Sequence, residues 1–417
     1  MKTTTRVIAA ATCVGALTAL AACAPDGAAA DKTLEMWMPT TFAAATADEE
    51  SAAWESILAP FEAENGVDVN VTLIPWSSYE EKYLTGVSSG EGPDVGYMYT
   101  EMMGDYVANG ALAPFDDYLD DEITSKMMYL DQGQVDGNQY AMPYVVGGIR
   151  LLWGNMELLA AAGVDEMPTT WDEFLEAARA LRDAGITPLY QEWGAPDRGM
   201  LNATFFPLLW QAGGEILNED GTATAFDSPE GLAAAEFLKT LLDEGLMPED
   251  VSGLTVEEVK SAFYTGKTAF LFGNDATRAE LDETQIDAQF VPGLVGEQAG
   301  TFVASDSLVM FDSCADKELC SALVSFLLEG EQMSAFHEQI VAYPPVATDE
   351  KSAPTEFTDT YAESAQSLRS LPIAAGGAGV YNALYQNLQQ MILGQKSPQQ
   401  ALADAAEAGD QALAQAR

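Results

Sequence analysis

Basic side chains are scarce in this 417-residue chain: 18 lysines and arginines stand against 65 aspartates and glutamates, giving a formal net charge of -47. The acidic residues are spread along the chain rather than gathered in a tail. Such a surface repels phosphate backbones and anionic lipid, which excludes nucleic acid as a partner and argues against docking on a bare membrane surface. Acidic solutes are disfavoured as well unless a local basic pocket receives them. Histidine occurs once, as His337, and the four cysteines are not clustered, so a zinc site is not expected, nor is another metal or cofactor. Beyond the first 22 residues no segment reaches the about 18 consecutive apolar residues that a bilayer span needs. Core-forming residues are plentiful, at 48% apolar. The roughly 390 residues after the leader exceed what one hydrophobic core usually serves, so two domains are expected.

The leader is informative. Lys2 and Arg6 make a short positive region, and Val7 to Leu20 follow as an alanine-rich apolar stretch too short to span a bilayer. Residues 1–22 therefore read as a signal peptide. The stretch ends in Leu20-Ala21-Ala22-Cys23, which resembles the lipobox of bacterial lipoproteins; that resemblance makes Cys23 the lipidated first residue of the mature chain and residues 23–31 a tether. An anchored location on the extracellular face of the bacterial cell membrane follows. Apart from Cys13 in the leader and Cys23, the only cysteines are Cys314 and Cys320. Export exposes them to an oxidising compartment, which predicts a local disulfide, the alternative being two buried thiols.

Hydrophobic periodicity predicts alternating strands and helices. Leu34 to Met38 are a strand-length apolar run, and Glu49 to Glu64 carry Trp54, Ile57, Leu58 and Phe61 at helical spacing. Val67 to Leu73 alternates with period two, Ser78 to Val87 reads as a helix, and Asp94 to Tyr99 as another strand. In the middle, Thr170-Trp171-Asp172-Glu173 has capping-box spacing, with a helix running on to Gly185 and a strand over Ile186 to Tyr190. Asp227-Ser228-Pro229 opens a helix that closes at Gly245; Lys267 to Phe272 reads as a strand, and Tyr381 to Leu393 and Pro398 to Ala414 as helices. The pattern predicts an α/β fold of mostly parallel sheets flanked by helices.

Catalytic motifs fail on context. Gly86-Val87-Ser88-Ser89-Gly90 matches the serine-hydrolase pattern, with His337 downstream, but a nucleophile elbow needs a strand before the serine and a helix after it, and here the order is reversed. Gly266-Lys267-Thr268 ends like a phosphate-binding loop, yet Ser261 stands where that loop needs its first glycine. Asp116-Asp117 and Asp120-Asp121 lack the spacing of a calcium loop. No local motif singles out a carboxylate pair for glycoside hydrolysis. Binding is thus favoured over catalysis, with an exported glycosidase as the competing class.

Several stretches together resemble the bacterial extracellular solute-binding proteins that include the maltose-binding protein. They are Gly92-Pro93-Asp94-Val95, Tyr140-Ala141-Met142-Pro143-Tyr144, Leu151 to Gly163, Pro168 to Phe174, Ser228-Pro229-Glu230 and Gly266-Lys267-Thr268-Ala269-Phe270. Their order and spacing span nearly the whole mature chain. The resemblance implies a two-lobed periplasmic-binding-protein-like fold (type II) whose lobes join at a hinge and close over a ligand by rigid-body rotation. It implies a monomer that is no enzyme and that hands a mono- or oligosaccharide to the membrane subunits of an ABC transporter. Lobe 1 is then expected over 32–147 and 295–343, and lobe 2 over 148–294 and 344–417. The crossings are expected near Tyr144 to Gly148 and Val291 to Phe302, with Gly147-Gly148 as hinge residues. Gly148 stands where maltose-binding relatives carry a sugar-bonding glutamate.

Sugar recognition needs aromatic faces for C–H-rich ring surfaces, with carboxylates or amides for hydroxyls. Strand ends and the resemblance nominate Thr40, Thr41, Trp76, Tyr99, Thr100, Glu101 and Tyr144 on the first lobe. On the second they nominate Trp193, Asn274, Asp275, Tyr381 and Asn382, and Asp306 comes after the second crossing. Met102 replaces the relatives' arginine, and Ala276 stands near the place of their stacking tryptophan. Core packing is the competing reading for each aromatic, Tyr97 and Trp210 above all, and a solvated charge for Glu101 and Asp275. A cationic solute such as a polyamine is the alternative ligand, favoured by the acidic surface.

Overall fold

A computed structural model describes residues 32–40, 46–119, 121–194, 200–340, 343–351 and 353–417. The signal peptide, Cys23, the tether and Thr41 lie outside these residues. Strand β1 (Lys32–Pro39) leads to helix α1 (Ala47–Asn65), which Thr46 caps by accepting the Glu49 N–H at 3.2 Å and which Gly66 ends in the left-handed region. Strand β2 (Val67–Ile74) lies parallel to β1, Lys32 facing Val67. Helix α2 (Tyr79–Ser89) leads into β3 (Val95–Tyr99), also parallel to β1, and helix α3 (Thr100–Ala108) starts on the next residue. Ala141–Gly147 ends this first pass. The strand Ala304–Phe311 returns later and pairs antiparallel with both β3 and Ala141–Gly147.

A second sheet has Ala288–Val291 antiparallel to Arg150–Asn155, then Thr268–Asn274 antiparallel to that strand, then Thr187–Leu189 parallel to Thr268–Asn274. Its helices match the sequence reading closely. Trp171–Asp183 begins with the full capping box of Thr170 and Glu173, and Pro229–Asp243 begins at Ser228 with proline in its first turn. The two long helices Gly377–Ile392 and Pro398–Gln415 pack on this half, burying Val380, Tyr385, Leu402 and Leu413 in its core.

The expectation of mostly parallel sheets holds for β2–β1–β3 and for Thr268–Asn274 with Thr187–Leu189. Elsewhere the sheets are mixed, for a topological reason. β3, Ala141–Gly147 and Thr268–Asn274 all run toward the edge where the halves meet, as Tyr99 facing Asp306 and Asn274 facing Arg150 show. Strands that start at that edge, Arg150–Asn155 and Ala304–Phe311, must run the other way.

Three connecting segments lie side by side at this edge. Thr301 Oγ1 donates to the Arg150 carbonyl at 2.7 Å, and Thr301–Phe302 pairs parallel with Leu368–Arg369. Each half has its own core, one around Trp54, Tyr83, Phe115 and Phe311, the other around Phe174, Phe206, Trp210 and Tyr385. The division is incomplete, because Trp153, Phe263 and Leu271 of the second sheet's layer belong to the first cluster. The predicted disulfide is present: Cys314 and Cys320 are bonded, with Cα atoms 6.9 Å apart, tying the turn after Phe311 to the helix Lys317–Leu327. No helix among the described residues is long and apolar enough to cross a membrane.

Candidate functional site

Ligands of α/β sheets sit beyond the carboxyl ends of strands, and in this chain those ends converge where the halves meet. On the first half an aromatic shelf forms at the ends of β2 and β3. Trp76 is 37% exposed and packs with ring centroids 5.0 Å from Tyr79, 6.3 Å from Tyr97 and 6.1 Å from Tyr99. Hydrogen bonds fix the shelf from beneath: the Tyr79 hydroxyl donates to the Tyr97 carbonyl at 2.6 Å, and the Tyr99 hydroxyl donates to Glu80. A ring held on one face and wet on the other can stack on a solute without first being ordered.

Beside the shelf lies a polar cluster drawn from both halves. The Tyr97 hydroxyl donates to Asp306 at 2.6 Å, and burial pushes the Asp306 carboxyl up to about 6 against that bond. Asp275 accepts from the Tyr361 hydroxyl at 2.5 Å and from the Ala276 N–H at 2.9 Å; burial still raises its pKa, with Arg150 among the opposing influences. Half-buried Arg150 donates through Nη2 and Nε to Asn202 Oδ1 at 2.8 and 3.3 Å. Burial lowers its pKa, while the charges of Glu192 and Asp275 and the hydroxyls of Tyr343 and Tyr361 hold it up. The cluster therefore offers guanidinium and phenol donors together with carboxylate acceptors, the equipment for bonding vicinal hydroxyls.

The nominated residues divide. Trp76, Tyr99, Asp306, Asn274 and Asp275 come together at or beside this edge. Thr100 is buried and donates its hydroxyl to the Ser305 carbonyl; it also lines a crevice of about 470 Å³ with Gln132, Trp210, Arg369 and Pro372. Thr40 follows β1, its N–H bonded to the Ile74 carbonyl at 3.0 Å, and half-buried Glu101 sits in the first turn of α3.

Three aromatics are corrected from free ring to core. Tyr144 is fully buried and stacked on Phe336 at 4.4 Å. Trp193, nominated on the second lobe, is fully buried and stacked on Tyr385 at 5.4 Å. Tyr381 lies in the second core against Phe206 at 5.8 Å, its hydroxyl bonded to the Pro372 carbonyl, while the neighbouring Asn382 is exposed. Each ring found an apolar neighbour far away in sequence, and burying such a ring is worth more than leaving it wet. Tyr97 and Trp210 are also buried, as the competing reading had it.

Sequence reasoning missed Arg150, Tyr343, Tyr361, Glu192 and Asn202. For Arg150 a signal existed: it is the only charged side chain between Asp136 and Glu157. An isolated charge in so apolar a run needs a buried partner.

Comparisons with known proteins identify the family and the fold. The family described as bacterial extracellular solute-binding protein matches residues 44–334. The diacetylchitobiose binding protein DasA of Streptomyces coelicolor is 28% identical over 348 residues, 78% of each chain. Among solved structures, an ABC transporter solute binding protein of Thermotoga lettingae bound with alpha-D-tagatose superposes with a TM-score of 0.78 at 23% identity, covering 92% of this chain and 100% of that one. The GacH receptor of Streptomyces glaucescens, solved unliganded and with acarbose, gives 0.76 at 22% identity, covering 92% and 99%. Such superpositions establish the two-lobed type II architecture. With well over half its length matched, the chain belongs to the bacterial extracellular solute-binding protein family.

Proposed function

We propose that this chain captures a sugar or short oligosaccharide between its lobes and delivers it to the membrane subunits of an ABC transporter. In this reading the chain is a monomeric receptor rather than an enzyme, held on the outer face of the cell membrane through a lipid on Cys23. The observation that carries the sugar reading is the pairing of the half-exposed Trp76 shelf with the cluster of Arg150, Asp275 and Asp306. Rings cover the apolar faces of a pyranose while charged donors and acceptors take its hydroxyls. Relatives that bind diacetylchitobiose and acarbose support the same class of solute. We assign lobe 1 to residues 32–147 and 295–343 and lobe 2 to 148–294 and 344–417. The helices Gly377–Ile392 and Pro398–Gln415, packed in the second core, support a second-lobe place for the end of the chain. Met128 bonded to Val346, and Val295 bonded to Thr169 and Trp171, favour moving the boundaries at 343 and 295 a few residues later.

Calorimetric titration with maltose, maltotriose, D-tagatose, diacetylchitobiose and spermidine tests the reading. One saccharide is expected to bind, with an affinity that ionic strength hardly changes. The charges of two carboxylates, Glu192 and Asp275, act on the guanidinium of Arg150, and this excess of acid favours a cation as the second reading. Binding of spermidine alone, falling steeply with salt, would replace the sugar reading with that one.

A further inference from the structure

The strand Ala141–Gly147 leaves the first sheet at Gly147, and Gly148 takes a φ of 64° before the chain enters the second sheet at Arg150. A methyl group on Gly147 would lie 2.4 Å from Tyr343 Cγ and 2.6 Å from both Cδ atoms, so the Tyr343 ring rests directly on the crossing backbone. The hydroxyl end of the same ring lies 3.7 Å from the place a Cβ of Gly148 would take, a place also 4.0 Å from Asn274 Nδ2. Burial and then the charges of Asp275 and Asp306 push this phenol well above its ordinary value, with Arg150 opposing them. It is therefore a hydrogen-bond donor throughout the physiological range, placed among charges that come from both sheets. Among the described residues none takes its hydrogen bond. A tyrosine serving only the core would have an apolar environment at its hydroxyl; this half-buried one feels the charges of two carboxylates and a guanidinium.

Resting on the sugar reading of the cleft, we propose that Tyr343 is a specificity-determining residue that joins the solute to the hinge: its hydroxyl bonds the solute while its ring bears on Gly147. Bending at Gly147–Gly148 moves the backbone against the ring and swings the hydroxyl relative to Asp275 and Asp306. A solute bonded to that hydroxyl holds the ring, and through the ring it holds the crossing in one arrangement. This coupling requires glycine at 147, since any Cβ there would displace the ring.

The test uses the mature chain, calorimetry with maltose, maltotriose, D-tagatose and diacetylchitobiose, and small-angle scattering with the saccharide that binds. Tyr343→Phe keeps the ring and is expected to bind at least tenfold more weakly with little change in melting temperature. Gly147→Ala is expected to lose the contraction on binding, and Gly147→Ala/Tyr343→Ala to regain it at saturating sugar. Wild-type affinity in Tyr343→Phe, or a double variant that fails to contract like Gly147→Ala, overturns the proposal and leaves the sugar reading standing. A wild type that takes none of the four saccharides overturns the sugar reading, and this inference with it.

Discussion

Asp306 and Trp76 occupy opposite extremes of exposure in one site, and each gives a separate test. Burial raises the Asp306 carboxyl to about 6, whereas an exposed aspartate titrates near about 3.9. The folded chain therefore holds a proton there that the unfolded chain has released. The stability this provides is fully present below about pH 4 and is lost as pH rises through 6. Asp306→Asn removes the charge but keeps an acceptor for Tyr97. It is expected to stabilise the unliganded protein at pH 7 by roughly 2 to 3 kcal/mol and by much less at pH 4, read as melting temperature against the wild type at both values. Trp76→Ala removes a ring that is already partly wet, so it should leave the fold intact while weakening solute binding at least tenfold, or about 1.4 kcal/mol, in calorimetry. Ring types were legible in the sequence; their burial was not. Trp193 and Tyr381 look as available as Trp76 until Tyr385 and Phe206 are brought to them by the fold.

Elements show the reverse balance. Thr170 and Ser228 at helix starts, and Gly245 just beyond a helix end, could be read locally because capping is a contact between near neighbours. The direction of Ala304–Phe311 could not be read in this way. Its partner β3 lies about 200 residues earlier, and no local pattern distinguishes a strand that enters the sheet from one that leaves it. The seat of α3 is equally non-local. A Cβ on Gly104 would lie 2.2 Å from the Ala374 carbonyl oxygen, and Asp105 Oδ1 accepts the Gly376 N–H at 2.6 Å at the start of Gly377–Ile392. Gly104→Ala must therefore push the two helices apart, at an expected cost of about 1 to 3 kcal/mol in denaturant unfolding. A fully stable Gly104→Ala would mean that this contact yields freely.

Over the whole molecule the dominant feature is charge. With 65 acidic side chains on a chain that carries 18 basic ones, self-repulsion opposes compaction and salt relieves it. The melting temperature of the unliganded protein is expected to rise between low salt and about 0.5 M sodium chloride, where the Debye length falls to a few ångströms; an unchanged value would place the acidic groups too far apart to matter. The two-lobed plan itself was legible because many weak signals kept one order along the chain, from Gly92-Pro93-Asp94 to Gly266-Lys267-Thr268. The cluster at the crossing was only half legible. Asp275 follows Thr268–Asn274, a strand the sequence analysis reads over Lys267 to Phe272, whereas Asp306 lies inside Ala304–Phe311, a strand it does not read, and Tyr343 and Tyr361 come from a return segment with little periodicity.

Solute capture between two lobes that close is the claim on which the rest depends. Small-angle scattering of the mature protein, alone and with each of maltose, maltotriose, D-tagatose and diacetylchitobiose at saturating concentration, addresses it most directly. The account predicts a smaller radius of gyration with at least one of these sugars and no change with the others. Profiles that superimpose for all four, from protein that calorimetry shows to have bound one, would contradict it.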